Sequence, residues 1–215
     1  MLLLLVRHGD TPLTRTHLVG RSPGVHLSEV GARQAEALVQ RLDGLQLSAI
    51  HSSPLERAVE TVTPLAQARG LRVNVHPGLA EVDYGEWTGQ EYKVLSRTPL
   101  WKRVQALPTD ARFPGGEAVR EAQARIAGAL EQICAVPRGA TIVAASHSDM
   151  IKAATAHLLG LALDQFQRLV VSPASVTALR VGEGPPRLLR LNDTGGLRDL
   201  QPRRPPRRGH RGGDN

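Results

Sequence analysis

Leu2-Leu3-Leu4-Leu5-Val6 leads directly into Arg7-His8-Gly9-Asp10-Thr11 at the start of the chain. An apolar run without alternation predicts a strand that is buried on both faces, as in a parallel sheet covered by helices. The polar residues that follow it stand at the carboxyl end of that strand, which is the edge where open α/β sheets bind their ligands. This one stretch therefore predicts both the fold class and the place of a site.

The rest of the chain repeats this pattern of short apolar runs and longer segments with helical spacing. Such alternation predicts a three-layer α/β/α sandwich with a mostly parallel sheet. Further strands are expected at 47–50, 71–75 and 141–145, and a hairpin-like pair at 176–181 and 188–191. Helices are expected from the N-cap Ser28 to Gly44, from Pro54 to Gly70, and over 90–105, 117–135 and 149–159.

The length of 215 residues fits one domain, which we place at residues 1–200. Residues 201–215 contain five arginines and one aspartate, so more than half of the net charge of +7 lies in this short segment. The segment has no apolar residue to bury, and we expect a basic, disordered tail. Aromatic residues make up only 3% of the chain, and no basic patch is interleaved with them, so we expect no nucleic-acid partner.

The single cysteine, Cys134, cannot form an internal disulfide, and a reducing cytoplasm fits this composition best. The apolar run 2–6 is far shorter than the roughly 18 residues of a membrane span and lacks the charged leader of a signal peptide. The sequence therefore predicts a soluble, unprocessed protein without a membrane partner.

Polar side chains follow three of the predicted strands, and parallel strands bring such positions to one edge of the sheet. The first strand ends at Arg7 and His8, the second leads to Arg57, and the fourth leads to His147 and Ser148. Guanidinium groups bind phosphoryl oxygens bidentately and stay charged, while a neutral imidazole is a competent nucleophile. These residues predict a phosphate-ester site in which His8 is the nucleophile and Gly9 lets the phosphate approach the backbone.

Five motifs along the chain together resemble the histidine phosphatase superfamily, whose members include phosphoglycerate mutases and phosphomonoesterases. The resemblance spans residues 2 to about 192 and implies a phosphoglycerate mutase-like α/β fold. The motifs are LVRHGDT (5–11), SSPLERAVET (52–61), LAEVDYGEWTG (79–89), PGGE (114–117) and ASH (145–147).

Carried over residue by residue, the resemblance implies that His8 becomes phosphohistidine. Arg7, Arg57 and His147 would surround the phosphoryl group, and Glu81 would donate a proton to the leaving oxygen and then activate water. Asp83 and Glu86 are alternative acids, but the motif spacing favours Glu81.

The chain departs from the family pattern at two positions that we also expect to bind substrate. Thr14 stands where many members have asparagine, and Ser148 stands where glycine is usual. Thr88 and Ala118 likewise replace the usual Glu and Ser. The other histidines, His17 among them, are expected to be structural or surface residues, and Trp101 is expected to pack or to wall the substrate cleft.

These observations favour a metal-independent phosphatase that acts on a small phosphorylated metabolite and needs no cofactor. A phosphoglycerate mutase, which would use 2,3-bisphosphoglycerate, remains the alternative within the family. Two further hypotheses come from other classes. One is a phosphate-binding regulatory module without turnover. The other is a metal site built from the H-x-D units at residues 8–10 and 147–149, although Arg7 and Arg57 would crowd a cation there.

Overall fold

The computed structural model describes residues 1–195, so the predicted tail at 201–215 lies outside the described residues. Within them, six strands form one sheet in the order β3-β2-β4-β1-β5-β6. Strands β1 to β4 run parallel, whereas β5 is antiparallel to both β1 and β6. The strands are β1 (Leu2–Arg7), β2 (Ala49–Ser52), β3 (Val73–Val75), β4 (Thr141–Ser146), β5 (Val176–Arg180) and β6 (Arg187–Asp193).

Helices cover both faces of this sheet, which confirms the predicted α/β/α sandwich. The helices are α1 (Glu29–Arg41), α2 (Glu56–Arg69), α3 (Tyr92–Leu95), α4 (Pro99–Ala106), α5 (Val119–Ile133) and α6 (Ser148–Leu159). Alternate residues of β1 belong to two separate cores. Leu2, Leu4 and Val6 pack with apolar residues of α1 and α2, and Leu3 and Leu5 pack with those of α5 and α6. This two-sided burial is why the strand reads as an uninterrupted apolar run.

The ends of several helices follow the predicted signals. The Ser28 hydroxyl accepts a hydrogen bond from the Gly31 N–H at 3.1 Å and caps α1. Gly70 and Gly160 end α2 and α6 with φ of 61° and 66°, a conformation that costs glycine little. The predicted antiparallel pair near the end of the chain is present as β5 and β6.

The single helix predicted over 90–105 is wrong, because this segment forms α3 and α4 with a break between them. Pro99 lacks an N–H and disfavours a helical conformation of the residue before it, so a helix begins at Pro99 and none runs through it. Thr98 caps the new start by accepting from the Trp101 N–H at 3.2 Å. The second strand is also shifted, since it covers Ala49–Ser52 and not 47–50.

Within residues 1–195, none of the helices is long and apolar enough to cross a lipid bilayer.

Candidate active site

The carboxyl ends of β1, β2 and β4 meet at one edge of the sheet and open into a cavity of ≈ 320 Å³. The register of β1 and β4 pairs Arg7 with Ser146, which places the next residues, His8 and His147, side by side. Their ring centroids lie 5.2 Å apart. Topology thus brings together two histidines that are 139 positions apart in the chain.

His8 is buried, and its ring has a defined tautomer. Nδ1 lies 2.7 Å from the carbonyl oxygen of Gly9, which can only accept, so Nδ1–H donates and the other ring nitrogen, Nε2, keeps its lone pair. Burial, followed by the charges of Arg57 and Arg7, lowers the pKa of His8 well below its usual value. The imidazole is therefore neutral at pH 7, as a nucleophile must be.

Two arginines next to His8, Arg57 buried and Arg7 half-buried, carry buried N–H groups without a partner among the described residues. Arg57, on the first turn of α2, is only 1% exposed, and its Nη2 donates to the Gly20 carbonyl at 2.7 Å. Arg7 Nη1 donates to the Val171 carbonyl at 2.6 Å. Among the described residues, no atom accepts from Nε of Arg7 or from Nε and Nη1 of Arg57. Buried charged donors without acceptors are costly, and a phosphoryl group would supply the missing acceptors.

His147 is fully buried between Arg57 and Ser53. Arg57 Nη2 can only donate, so the 3.3 Å contact makes Nδ1 of His147 the acceptor, and Nε2–H donates to Ser53 Oγ at 2.7 Å. Burial, and then the charge of Arg57, lowers the pKa of His147 well below its usual value. His147 is therefore a neutral ring locked between a cation and a hydroxyl.

Glu81 lies on the loop after β3 and reaches the cavity with a nearly buried carboxyl group. Burial, reinforced by the negative charge of Asp149, raises the pKa of this carboxyl from 4.5 to about 7. The Val82 N–H, at 2.9 Å from Oε1, and the two site arginines act in the opposite direction. A carboxyl group with this pKa can both donate and accept a proton near pH 7.

Another side of the cavity is walled by aromatic rings and polar side chains, some of them from the motif at 79–89. Trp101 of α4, expected to pack or to wall the cleft, lines the cavity and stacks on Trp87 with ring centroids 6.3 Å apart. Tyr84 donates to Asp149 at 2.9 Å, and Lys152 lies 3.3 Å from the other oxygen of that carboxylate. The remaining lining residues on this side are Tyr92, Val104, Gln105, Phe113 and Gln167.

Of the other predicted substrate-binding residues, two line the cavity and one does not. Thr14 and Ser148 line the cavity, and Thr14 Oγ1 accepts from the Thr11 N–H at 2.8 Å. Gly9 is not among the lining residues, and its N–H donates to Thr61 Oγ1 at 2.8 Å. A Cβ on Gly9 would lie 2.9 Å from the Gly31 carbonyl, so packing against α1 is enough to account for this glycine.

His17, which was expected to be a structural or surface residue, also lines the cavity. It is held there by a bond of 2.8 Å between Nδ1 and Thr16 Oγ1. The stretch around His17 has no regular apolar period, so no sequence signal placed it near the site.

The two H-x-D units do not converge on a common centre. Asp10 turns away from the cavity and accepts from the Ser28 hydroxyl at 2.9 Å, whereas Asp149 is engaged by Tyr84 and Lys152. Within residues 1–195, no group of three or more His, Cys, Asp or Glu side chains is arranged to hold a metal ion. This geometry lends no support to the metal-site hypothesis.

The amino-acid sequence is similar to those of known phosphatases and probable phosphoglycerate mutases. A sequence profile of the histidine phosphatase superfamily (branch 1) matches residues 3–194. The chain is 32% identical over 197 residues to phosphoserine phosphatase 1 of Hydrogenobacter thermophilus, covering 89% of this chain and 92% of that protein. It is 30% identical over 184 residues to a probable phosphoglycerate mutase of Cronobacter sakazakii, covering 84% of this chain and 85% of the relative.

Solved structures agree with the sequence comparison. A mycobacterial glucosyl-3-phosphoglycerate phosphatase superposes with a TM-score of 0.79 at 27% identity, covering 89% of this chain and 98% of that one. A second mycobacterial hydrolase superposes with a TM-score of 0.82 at 27% identity, covering 91% and 92% of the two chains. The motifs, the α/β/α fold and the profile over residues 3–194 lead to one conclusion: this chain belongs to the histidine phosphatase superfamily.

Proposed function

We propose that this protein is a phosphatase that hydrolyses a small phosphomonoester through a phosphohistidine at His8. The observation that carries the proposal is the set of buried, unpaired N–H groups on Arg7 and Arg57 beside His8, within the described residues. Two fixed guanidinium groups supply the positive charge that a phosphoryl dianion needs, so the proposed reaction routes no step through a metal. Phosphatases among the similar proteins support the same reaction class.

In the first step, Nε2 of His8 attacks phosphorus and the bond from phosphorus to the leaving oxygen breaks. Glu81 gives its proton to that oxygen, and the alcohol departs. In the second step, the Glu81 carboxylate takes a proton from water, the resulting hydroxide attacks phosphorus, and the bond to His8 breaks. Inorganic phosphate leaves, and both His8 and Glu81 return to their starting protonation states.

Arg7 and Arg57 hold the phosphoryl oxygens throughout, and His147 keeps Arg57 in place by accepting a hydrogen bond from its Nη2. Thr14 and Ser148 line the same cavity and complete the proposed phosphate pocket. We assign this activity to residues 1–200 as one domain acting in the cytoplasm, a compartment that the single cysteine supports.

A phosphoglycerate mutase is the second candidate, because the relative from Cronobacter sakazakii bears that name with the qualifier probable. A mutase returns the phosphoryl group from histidine to a substrate hydroxyl, whereas a phosphatase gives it to water. A panel of phosphoserine, 3-phosphoglycerate and sugar phosphates, with and without 2,3-bisphosphoglycerate, separates the two. We expect release of inorganic phosphate without the bisphosphate, and bisphosphate-dependent isomerisation of 3-phosphoglycerate would overturn the proposal.

Rapid quenching with a phosphorus-labelled ester tests the intermediate itself. We expect label on the protein that is acid-labile and alkali-stable, and none on His8→Ala. The matched control is His157→Ala, because His157 is an exposed histidine on α6 outside the cavity. Turnover that His8→Ala leaves unchanged would refute the proposed function, and a wild type with neither label nor turnover would favour a non-catalytic role for this pocket.

A further inference from the structure

The PGGE motif at 114–117 lies against the loop that carries Glu81, although the mechanism above does not use it. The Glu117 N–H donates to the Asp83 carbonyl at 2.9 Å, and the Glu86 N–H donates to the Pro114 carbonyl at 2.9 Å. A Cβ on Gly116 would lie 2.3 Å from the Asp83 carbonyl oxygen, so only glycine allows this backbone approach. The motif therefore docks main chain to main chain on the acid loop.

Glu117 adds a charged centre to this contact. Its Oε1 lies 2.8 Å from Arg125 Nε and 3.0 Å from Arg21 Nη2. Its Oε2 lies 3.0 Å from Arg125 Nη2 and accepts from the Asp83 N–H at 2.9 Å. Only 19% of the side chain is exposed, so these ionic hydrogen bonds are screened less than surface pairs are.

Both arginines in turn hold the main chain of Glu81. Arg21 Nε donates to the Glu81 carbonyl at 2.8 Å, and Arg125 Nη2 donates to the same oxygen at 3.1 Å. Arg125 Nη1 also donates to the carbonyls of Gly78 and Ala80 at 2.9 Å. The Glu117 carboxylate thus orients the guanidinium groups of Arg21 and Arg125. Both of these groups donate hydrogen bonds to the main chain of the loop that carries Glu81.

We propose that Glu117 is a positioning residue for Glu81: through Arg21 and Arg125 it fixes the acid loop so that the carboxyl group meets the leaving oxygen. This inference rests on the proposed function, since it assumes that Glu81 is the proton donor. A positioning role differs from a merely structural role in its effect on the reaction. Loss of Glu117 is expected to impair proton transfer from Glu81 more than it impairs phosphate binding.

Leaving-group chemistry separates these two effects. An alkyl phosphate expels a strongly basic alkoxide and needs the acid, whereas p-nitrophenyl phosphate expels a weakly basic phenolate and needs it little. For Glu117→Ala, we expect kcat/KM to fall about a hundred-fold for the alkyl ester that the wild type turns over best. We expect a loss below about three-fold for p-nitrophenyl phosphate, and a smaller loss of the same pattern for Glu117→Gln.

The control variant is Glu121→Gln, on the same stretch of chain. Glu121 pairs with Arg112 and caps α5, and within the described residues no hydrogen bond or ion pair joins it to the acid loop, so its loss should leave both esters unaffected. Equal losses on both esters, or no loss on either, would overturn the inference. If Glu117→Ala does not fold, as thermal unfolding will show, Glu117→Gln carries the comparison.

Glu81→Gln provides the reference for interpreting the result. If Glu81→Gln lacks the selective loss on alkyl esters, then Glu81 is not the acid and the proposed function fails at that step. If Glu81→Gln shows the selective loss and the Glu117 variants do not, then only the positioning role is wrong.

Discussion

The imidazole rings of His8 and His147 lie 5.2 Å apart with their planes inclined by 54°. The two rings have opposite tautomers, because Nδ1 of His8 donates to a carbonyl while Nδ1 of His147 accepts from Arg57. Both are buried next to two arginines, so neither ring takes up a proton near pH 7. The site therefore holds a neutral nucleophile next to fixed positive charge, and the predictions below follow from this arrangement.

Arg57→Lys should lower kcat/KM about a hundred- to a thousand-fold, although it keeps the charge. Nη2 of Arg57 donates to the Gly20 carbonyl and to His147, which leaves Nε and Nη1 for the phosphoryl group, and a lysine ammonium lacks this planar set of donors. Steady-state kinetics measure the change. Arg33→Lys, on the exposed side of α1, is the control and should have wild-type rates. Near-normal activity of Arg57→Lys would show that point charge alone is sufficient.

The alkaline side of the kcat/KM profile should fall with a midpoint near pH 7, because Glu81 must be protonated to act as the acid. Its pKa is raised to about 7 by burial and by Asp149, so its proton is lost as the pH rises through that value. Glu81→Gln should lower the rate and remove this limb. The profile is measured with an alkyl ester, and an unchanged limb in Glu81→Gln would assign it to another group.

Asp149→Asn should move that alkaline limb to lower pH. The negative charge of Asp149 is the second cause of the raised pKa of Glu81, and asparagine removes this charge while its amide oxygen still accepts from Tyr84. The comparison uses the same ester and buffers as the wild type. A limb that stays in place would mean that burial alone sets the pKa of Glu81.

Glu81→Gln should stabilise the fold more at about pH 8 than at about pH 5. The folded-state pKa of Glu81 lies above its ordinary value, so the unfolded chain ionises first and stability is lost as the pH rises from 4.5 towards 7. Between pH values well below 4.5 and well above 7, the raised pKa of Glu81 lowers the free energy of unfolding by an amount of order 3 kcal/mol. Chemical denaturation at the two pH values measures it. An equal effect at both would contradict the raised pKa.

Truncation after Leu200 should leave turnover unchanged, even though residues 201–215 carry more than half of the net positive charge. The residues that line the cavity all lie between Arg7 and Gln167, within the part of the chain that the structure describes. Initial rates of the full chain and the truncated chain, measured at two salt concentrations, provide the test. A loss of activity would restore the idea that the basic segment recruits an anionic partner.

Several elements that depend on neighbours along the chain were predicted from the local sequence. The run Leu2 to Val6 predicted a strand buried on both faces, and Ser28 and Gly70 predicted helix ends that the structure confirms. The single helix predicted over 90–105 was wrong, because Pro99 starts a new helix and divides the segment into α3 and α4. The position of His17 at the cavity could not be predicted, since nothing in its local pattern indicates the cavity that it lines.

The sequence alone determined the residue types of the site: arginine and histidine in the segments that follow strands, and glutamate in one loop. Only the tertiary structure decided which of them share an environment. Burial and the charge of Asp149 set the pKa of Glu81, although the two residues are 68 positions apart. The grip of Arg21 and Arg125 on the acid loop likewise joins distant segments. The physical reason is that desolvation and Coulomb interactions depend on distances through space, which the order of residues does not specify.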